Sequence, residues 1–169
     1  MGALIKDLKQ TILIVAEPGR EKEVVTRLAR VGYEGASGFL EGGLHAWVSA
    51  GKHADSVGQV NASEMSALLA NNDDEGICVL DVRTPSEFQA EHIEGAKSLP
   101  LAFVNEKMSA LEPGTTYHVH CLSGYRSMIF TSILKSRGFH DVVNILGGFA
   151  ALEKTAIPTT DFVCPTKVI

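Results

Sequence analysis

Cysteine is scarce in this 169-residue chain: Cys78, Cys121 and Cys164 are the only three. Well-separated thiols, odd in number and without a CxxC pair, make no disulfide framework. They point to a reducing, cytoplasmic setting in which a thiol stays free to react. Basic residues are not clustered. Against 20 Asp and Glu stand 15 Lys and Arg, a net charge of −5, which argues against nucleic acid or an anionic membrane as partner. No apolar run approaches the ~20 residues that span a bilayer. The N-terminus shows no basic start followed by an apolar stretch and a small-residue cleavage site. His118 and His120 form an HxH pair without a carboxylate or further His at metal-site spacing, so neither a metal nor another cofactor is expected. The remainder, 45% hydrophobic and 21% charged, suits a globular protein with a real core: one domain of ordinary size plus an extra piece.

What the chain does have is a repeat. Residues 11–15 read as an apolar strand, residues 16–20 as a turn, and Val24, Val25, Leu28 and Val31 as a helix ending at Gly32. Gly42 and Gly43 then precede a segment holding Trp47. Later the layout returns. A strand at 117–121, a turn to Arg126 and a helix at 129–136 lead to Gly138, and Gly147-Gly148 precede Leu152. Arg20 stands opposite Arg126, Gly32 opposite Gly138 and Gly42-Gly43 opposite Gly147-Gly148.

Only the second copy has a unit ahead of it. There Val60 is followed by a Ser63-capped helix at 64–70, a turn at 71–76 and a strand at 77–81. A short helix near 87–90 precedes residues 92–96. Residues 1–55 are therefore expected to be the back half of a domain whose front half is absent, and residues 56–169 a complete domain. Met1-Gly2 is then an artificial start to a piece of a longer protein; alternatively the half-unit is a genuine appendage. An open half-domain should expose apolar surface, to be covered by the intact domain or by self-association with a second chain. Short, continuously apolar strands alternating with helices predict an α/β fold with a mainly parallel sheet covered on both faces.

Cys121 ends a strand and precedes a helix, the place where open α/β sheets bind ligands. A loop entering a helix N-terminus aims backbone N–H groups at one point and adds the dipole's partial positive charge. Gly124 permits a tight curl, and Arg126 sets a permanent cation near the sulfur. Together these should pull the thiol below its free pKa of about 8.5. Alone, Cys121 reads as a small buried hydrophobe and Arg126 as a solvated residue. The flanking Gly, Arg and Ser at loop spacing, and a cation where helix starts disfavour one, favour a reactive site meeting an anion.

The string Cys121-x-x-Gly124-x-Arg126-Ser127 resembles the active loop of single-domain rhodanese sulfurtransferases. DVRTPSEF at 81–88, HIEGA at 92–96 and Pro100 resemble the family's other hallmark segments, and GFHDVVNILGGF at 138–149 its closing motif. The resemblance covers roughly residues 57–158. It implies a three-layer fold with a central parallel sheet flanked by helices, and transfer of sulfane sulfur through a persulfide on Cys121. The backbone of Leu122, Ser123, Gly124, Tyr125, Arg126 and Ser127 would cradle the anion, with Arg126 helping to bind the donor. Asp81 and Arg83 would form a polar network below the loop, and His92 a structural hydrogen bond. Glu91 departs from the Gly often found before His-Ile, and Leu152 from a common Trp. The N-terminal copy resembles the closing half of the same fold, with Val15 or Ala16 at the nucleophile's place, so it is expected to be silent.

Three rivals remain. Phosphatases and arsenate reductases on this fold resemble C-x5-R, one residue longer than the C-x4-R here. A non-catalytic binding or regulatory module would keep the fold without the chemistry. A silent unit before an intact one also resembles tandems that follow metallo-hydrolase domains of the β-lactamase superfold, and such an N-terminal domain would be a partner. The expected small-molecule partners are a sulfur donor (thiosulfate, glutathione persulfide or a protein persulfide) and a thiol acceptor. Cys78 reads as core, Cys164 as a spectator or a relay thiol, and Tyr125 as shaping access at the loop's tip.

Overall fold

The computed structural model describes residues 4–71 and 76–164. The chain divides into two compact units, Met1–Ser56 and Val57–Ile169. In the first, β1 (Ile12–Ile14) pairs in parallel with β2 (Ala36–Phe39), joined by α1 (Glu21–Ala29) and followed by α2 (Gly43–Ser49). Its core is small: Ile14, Leu28 and Tyr33, backed by Ile5, Ile12, Ala16, Val24 and Ala36. The other apolar side chains of this pair stay open. Leu13, Val15, Phe39, Leu44 and Trp47 are exposed and, with Ile14 and Leu40, line a groove of ≈430 Å³.

The second unit contains β3 (Gly58–Val60), α3 (Ala62–Asn71), β4 (Ile77–Asp81), α4 (Pro85–Ala90), β5 (Lys97–Ser98), α5 (Val104–Lys107), β6 (Thr116–His120), α6 (Tyr125–Ser136), β7 (Val142–Ile145) and α7 (Phe149–Leu152). Its five strands run in the order β3-β7-β6-β4-β5, every pair parallel. This is the expected α/β architecture, a central parallel sheet flanked by helices. Strand β4 is largely an apolar run, ICVL before Asp81, as expected of a strand covered by helices. Val79 and Ile145 pack with Ala62 and Met65 of α3, Phe149 and Leu152 of α7, and Ile93 and Ile157. Helix α6 lies on β6 and β7 and buries Phe130 and Leu134 completely. Each such side chain contributes about 1.5–3 kcal/mol of burial.

Two helix starts differ from expectation. Asn61, not Ser63, caps α3: its side chain accepts from the Glu64 amide and its own amide donates to the Glu64 carboxylate, both at 2.9 Å. That reciprocal box needs the cap three residues ahead of the acid, which Ser63 is not. Helix α6 starts at Tyr125 rather than Ile129, because Gly124 at φ 96° turns the chain straight from loop into helix. Residues 72–75 of the expected turn, and the end of the tail after Cys164, lie outside the described residues. Among the described residues no helix is long and apolar enough to cross a membrane.

Candidate active site

Strand β6 ends at His120, so Cys121 opens the loop that Gly124 closes into α6. The side chain of Cys121 is 1% exposed; its sulfur forms the floor of the loop. The Gly124 amide donates to Sγ at 3.2 Å, and the Ser127 hydroxyl stands 3.6 Å away. That hydroxyl is also 3.0 Å from the Gly124 carbonyl. It has one proton, so a charged sulfur competes for it with the carbonyl. Burial pushes the thiol's pKa up, but the Ser127 hydroxyl and the amides of Ser127, Ser123 and Gly124 outweigh it, leaving the pKa lowered. Of the expected cradle, Ser123, Gly124 and Ser127 are the residues whose bonds lower the thiol's pKa, while the side chains of Leu122 and Tyr125 are exposed.

The inward turn of those amides has a cause in another element. The start of α7 takes the loop's carbonyls, Phe149 N–H donating to Cys121 O at 2.7 Å and Ala150 N–H to Leu122 O at 3.0 Å. Gly148 allows the approach: a Cβ there would stand 2.3 Å from Cys121 O. Sequence reasoning placed Gly148 in the repeat and did not see this brace.

Arg126 lies in the first turn of α6, and its strongest partner is the carboxylate of Glu87, with the Cys121 sulfur also raising its pKa. The pair is bidentate, Nη1 to Oε2 at 2.8 Å and Nη2 to Oε1 at 2.7 Å. Glu87 also closes a capping box with Thr84, which fixes the start of α4. The Arg126 bonds, aided by those from Thr84 against burial, lower the Glu87 pKa to about 2. The pattern Thr84-x-x-Glu87 announces the cap, but nothing local announces a partner 39 residues away.

Asp81 and Arg83 form a buried pair. Arg83 Nη2 is 2.6 Å from Asp81 Oδ2 and donates to the Glu91 carbonyl at 2.7 Å, while the guanidinium lies 4.1 Å from the Phe149 ring centroid. They thus tie the end of β4 to the end of α4 and the start of α7. Glu91 needs no glycine's freedom, since its φ of −168° is ordinary extended backbone. His120 Nε2 sits 3.8 Å from Asp81, beyond hydrogen-bond reach, and burial lowers its pKa despite the carboxylate. His92 is part-buried: its Nδ1 meets the Phe88 carbonyl at 2.8 Å and its ring stacks on Phe88 at 3.8 Å. Its amide donates to Thr160 Oγ1 at 3.1 Å. None of Cys78, Cys121 and Cys164 is in a disulfide. Among the described residues no cluster of His, Cys, Asp and Glu is arranged to hold a metal.

This geometry has counterparts. The family model described as a Rhodanese-like domain matches residues 61–155. Over 81 residues the chain is 35% identical to a "Thiosulfate sulfurtransferase GlpE" of Pseudoalteromonas translucida, covering 48% of this chain and 77% of the relative. It is 28% identical over 102 residues to a "Sulfurtransferase" of Allochromatium vinosum, covering 60% of this chain and 94% of that one. An uncharacterised Synechocystis protein is 34% identical over 85 residues, and the chain spans about half, 48%, of its length. A solved rhodanese-related protein of Thermoplasma volcanium superposes with TM-score 0.54 at 26% identity, over 61% of this chain and 97% of that one. An Anabaena rhodanese-like domain gives 0.57 at 27%, over 63% and 81%.

Proposed function

The chain belongs to the rhodanese-like family, and from that membership we propose that it moves sulfane sulfur from a small-molecule donor to a thiophilic acceptor through a persulfide on Cys121. Relatives named as sulfurtransferases support sulfur transfer in general; thiosulfate and low-molecular-weight or protein persulfides are the donors considered. The thiolate attacks the donor's outer sulfur. A new S–S bond forms, the bond to the carrier breaks, and the carrier leaves with its electron pair as sulfite or a thiolate. The acceptor then attacks that outer sulfur and Cys121 departs as thiolate. The amides of Ser123, Gly124 and Ser127 hold the negative charge at each stage, while Asp81, Arg83 and His92 support the loop's surroundings.

The observation that carries this reading is the convergence on one buried sulfur of the Gly124 amide and the Ser127 hydroxyl, with a lowered pKa. The C-x4-R spacing from Cys121 to Arg126 favours a sulfur centre over the tetrahedral oxyanion that a longer loop would admit. Cysteines outside any disulfide suit a reducing, cytoplasmic compartment. By its resemblance, the tandem layout also suits fusion to a metallo-hydrolase domain that handles persulfides. The test is thiocyanate production from cyanide with thiosulfate or glutathione persulfide as donor. Cys121→Ser should lose at least about 10³-fold in rate; retained activity in that variant would refute the assignment.

A further inference from the structure

Charge around the reactive sulfur is unevenly shared. Within residues 121–127 Arg126 is the one charged side chain; each of its Nη groups donates to Glu87, at 2.8 and 2.7 Å, and its attraction to the Cys121 sulfur helps to raise its pKa as well. The acid cannot easily swing away. Thr84 holds the same carboxylate twice, its amide at 2.9 Å and its hydroxyl at 2.7 Å, both to Oε2. A carboxyl lowered to about 2 stays ionised throughout the neutral range, so the pair contributes no net charge. Leu122 and Tyr125 carry no charge either, Tyr125 being 75% exposed. What faces the sulfur is a set of amide and hydroxyl dipoles together with a guanidinium whose charge Glu87 offsets, a field suited to one negative charge.

We propose that Glu87 is a specificity-determining residue of this loop: by cancelling the Arg126 cation it favours a persulfide, which brings at most one charge to the sulfur, over the dianion thiosulfate. This rests on the sulfur-transfer reading above. Thiosulfate must bring two charges up to a thiolate, and an unpaired guanidinium at the helix start would offset that repulsion. A persulfide R–S–SH needs no such help. It offers its outer sulfur, R–S⁻ leaves with the electron pair of the broken S–S bond, and the proton stays on the new Cys121 persulfide or passes to water. Selectivity is then set by what the cation is denied, a difference between donors rather than a gain for either.

Glu87→Gln tests this, because glutamine keeps the shape and the capping bonds while removing the charge. Expected with thiosulfate is a rise in kcat/KM of about tenfold, carried mainly by KM and shrinking with added salt. Glutathione persulfide should change by less than about twofold. The pH at which Cys121 is half-alkylated by iodoacetamide should fall, a readout that a merely structural Glu87 would not move. Glu87→Asp, which retains the charge, should restore the wild-type donor ratio. Equal changes for both donors, or a loss confined to thiosulfate, would overturn the proposal. Its failure is separable from that of the parent reading: if the wild-type chain takes up sulfur from neither donor, the sulfurtransferase assignment falls. If it takes up sulfur and the donor ratio ignores Glu87→Gln, only the specificity proposal does.

Discussion

From β1 to α2 and from β6 to α7 the chain makes the same sequence of moves. A strand pairs in parallel with the next, Leu13 against Gly38 and His118 against Val143. A positive-φ glycine leads into a helix, Gly19 at 87° and Gly124 at 96°. A Gly-Gly step then presses on the first loop. A Cβ on Gly43 would stand 2.5 Å from Ala16 O, and one on Gly148 2.3 Å from Cys121 O. The brace survives in both copies, but Ala16 has no sulfur to cradle. Arg20 also differs from Arg126. It pairs with Glu17 and Glu23 in its own exposed turn, where Arg126 is clasped by an acid from a distant helix. The strand faces diverge most: Leu13 is 76% exposed and its counterpart His118 only 8%. In the second unit, residues 57–110 supply the strands β3, β4 and β5, the helix α3, and Asp81, Arg83 and Glu87. The difference teaches that the two loops share a backbone plan, whereas the sulfur, the Ser127 hydroxyl beside it and the clasp of the helix-start arginine by Glu87 belong to the second alone.

The comparison can be broken most forcefully by giving the first copy a nucleophile. Ala16→Cys, in a chain also carrying Cys121→Ser, should restore less than about 10⁻³ of wild-type transfer, because a thiol without the surrounding donors is not activated. Measurable turnover would contradict the need for donors such as the Ser127 hydroxyl. The next largest effect concerns the shared brace. Gly148→Ala forces a methyl into the Cys121 carbonyl and strains a φ of 57°. It should reduce transfer at least about tenfold and destabilise the second unit by roughly 1–3 kcal/mol. Gly43→Ala strains the first unit alike and should leave transfer unchanged, as steady-state rates and thermal melts of both variants will tell.

A gentler contrast lies among the thiols. Cys121 is lowered from the ordinary 9.0 and Cys78 is raised above it, by burial first of all. The pH midpoint for alkylation, followed by peptide mapping, should therefore fall below 9.0 for Cys121 and above it for Cys78. The smallest effect separates the two arginine pairs. Glu87 titrates lower folded than unfolded, so its stabilisation is complete above the ordinary 4.5 and is lost as pH falls toward about 2. Glu87→Gln should flatten part of that acid limb in a pH series of melting curves. Glu23→Gln, at a fully exposed pair screened by solvent, should leave the acid limb of that series unchanged.

Much of this was legible in the sequence wherever cause and consequence are neighbours. Strand β4 over Ile77–Asp81 is an apolar run between a turn and Arg83, and Cys121, Gly124 and Ser127 share one loop. Helix α6 was placed late because its first turn, Tyr125 and Arg126, has no apolar period; Gly124's backbone, not the pattern, starts it. Asn61 rather than Ser63 caps α3 because it alone stands three residues ahead of the Glu64 carboxylate. The bond from Glu87 to Arg126 and the pressure of Gly148 on Cys121 are tertiary. Local propensity carries no trace of them, although each residue stood in a motif for a different reason.

The account turns on one sulfur atom at one residue. Intact mass after incubation with excess thiosulfate or glutathione persulfide, followed by peptide mapping, tests it most directly. The predicted result is a gain of about 32 Da on Cys121, removed by cyanide or a thiol and absent in Cys121→Ser. A folded protein that gains no sulfur from either donor, or gains it on Cys164 instead, would contradict it.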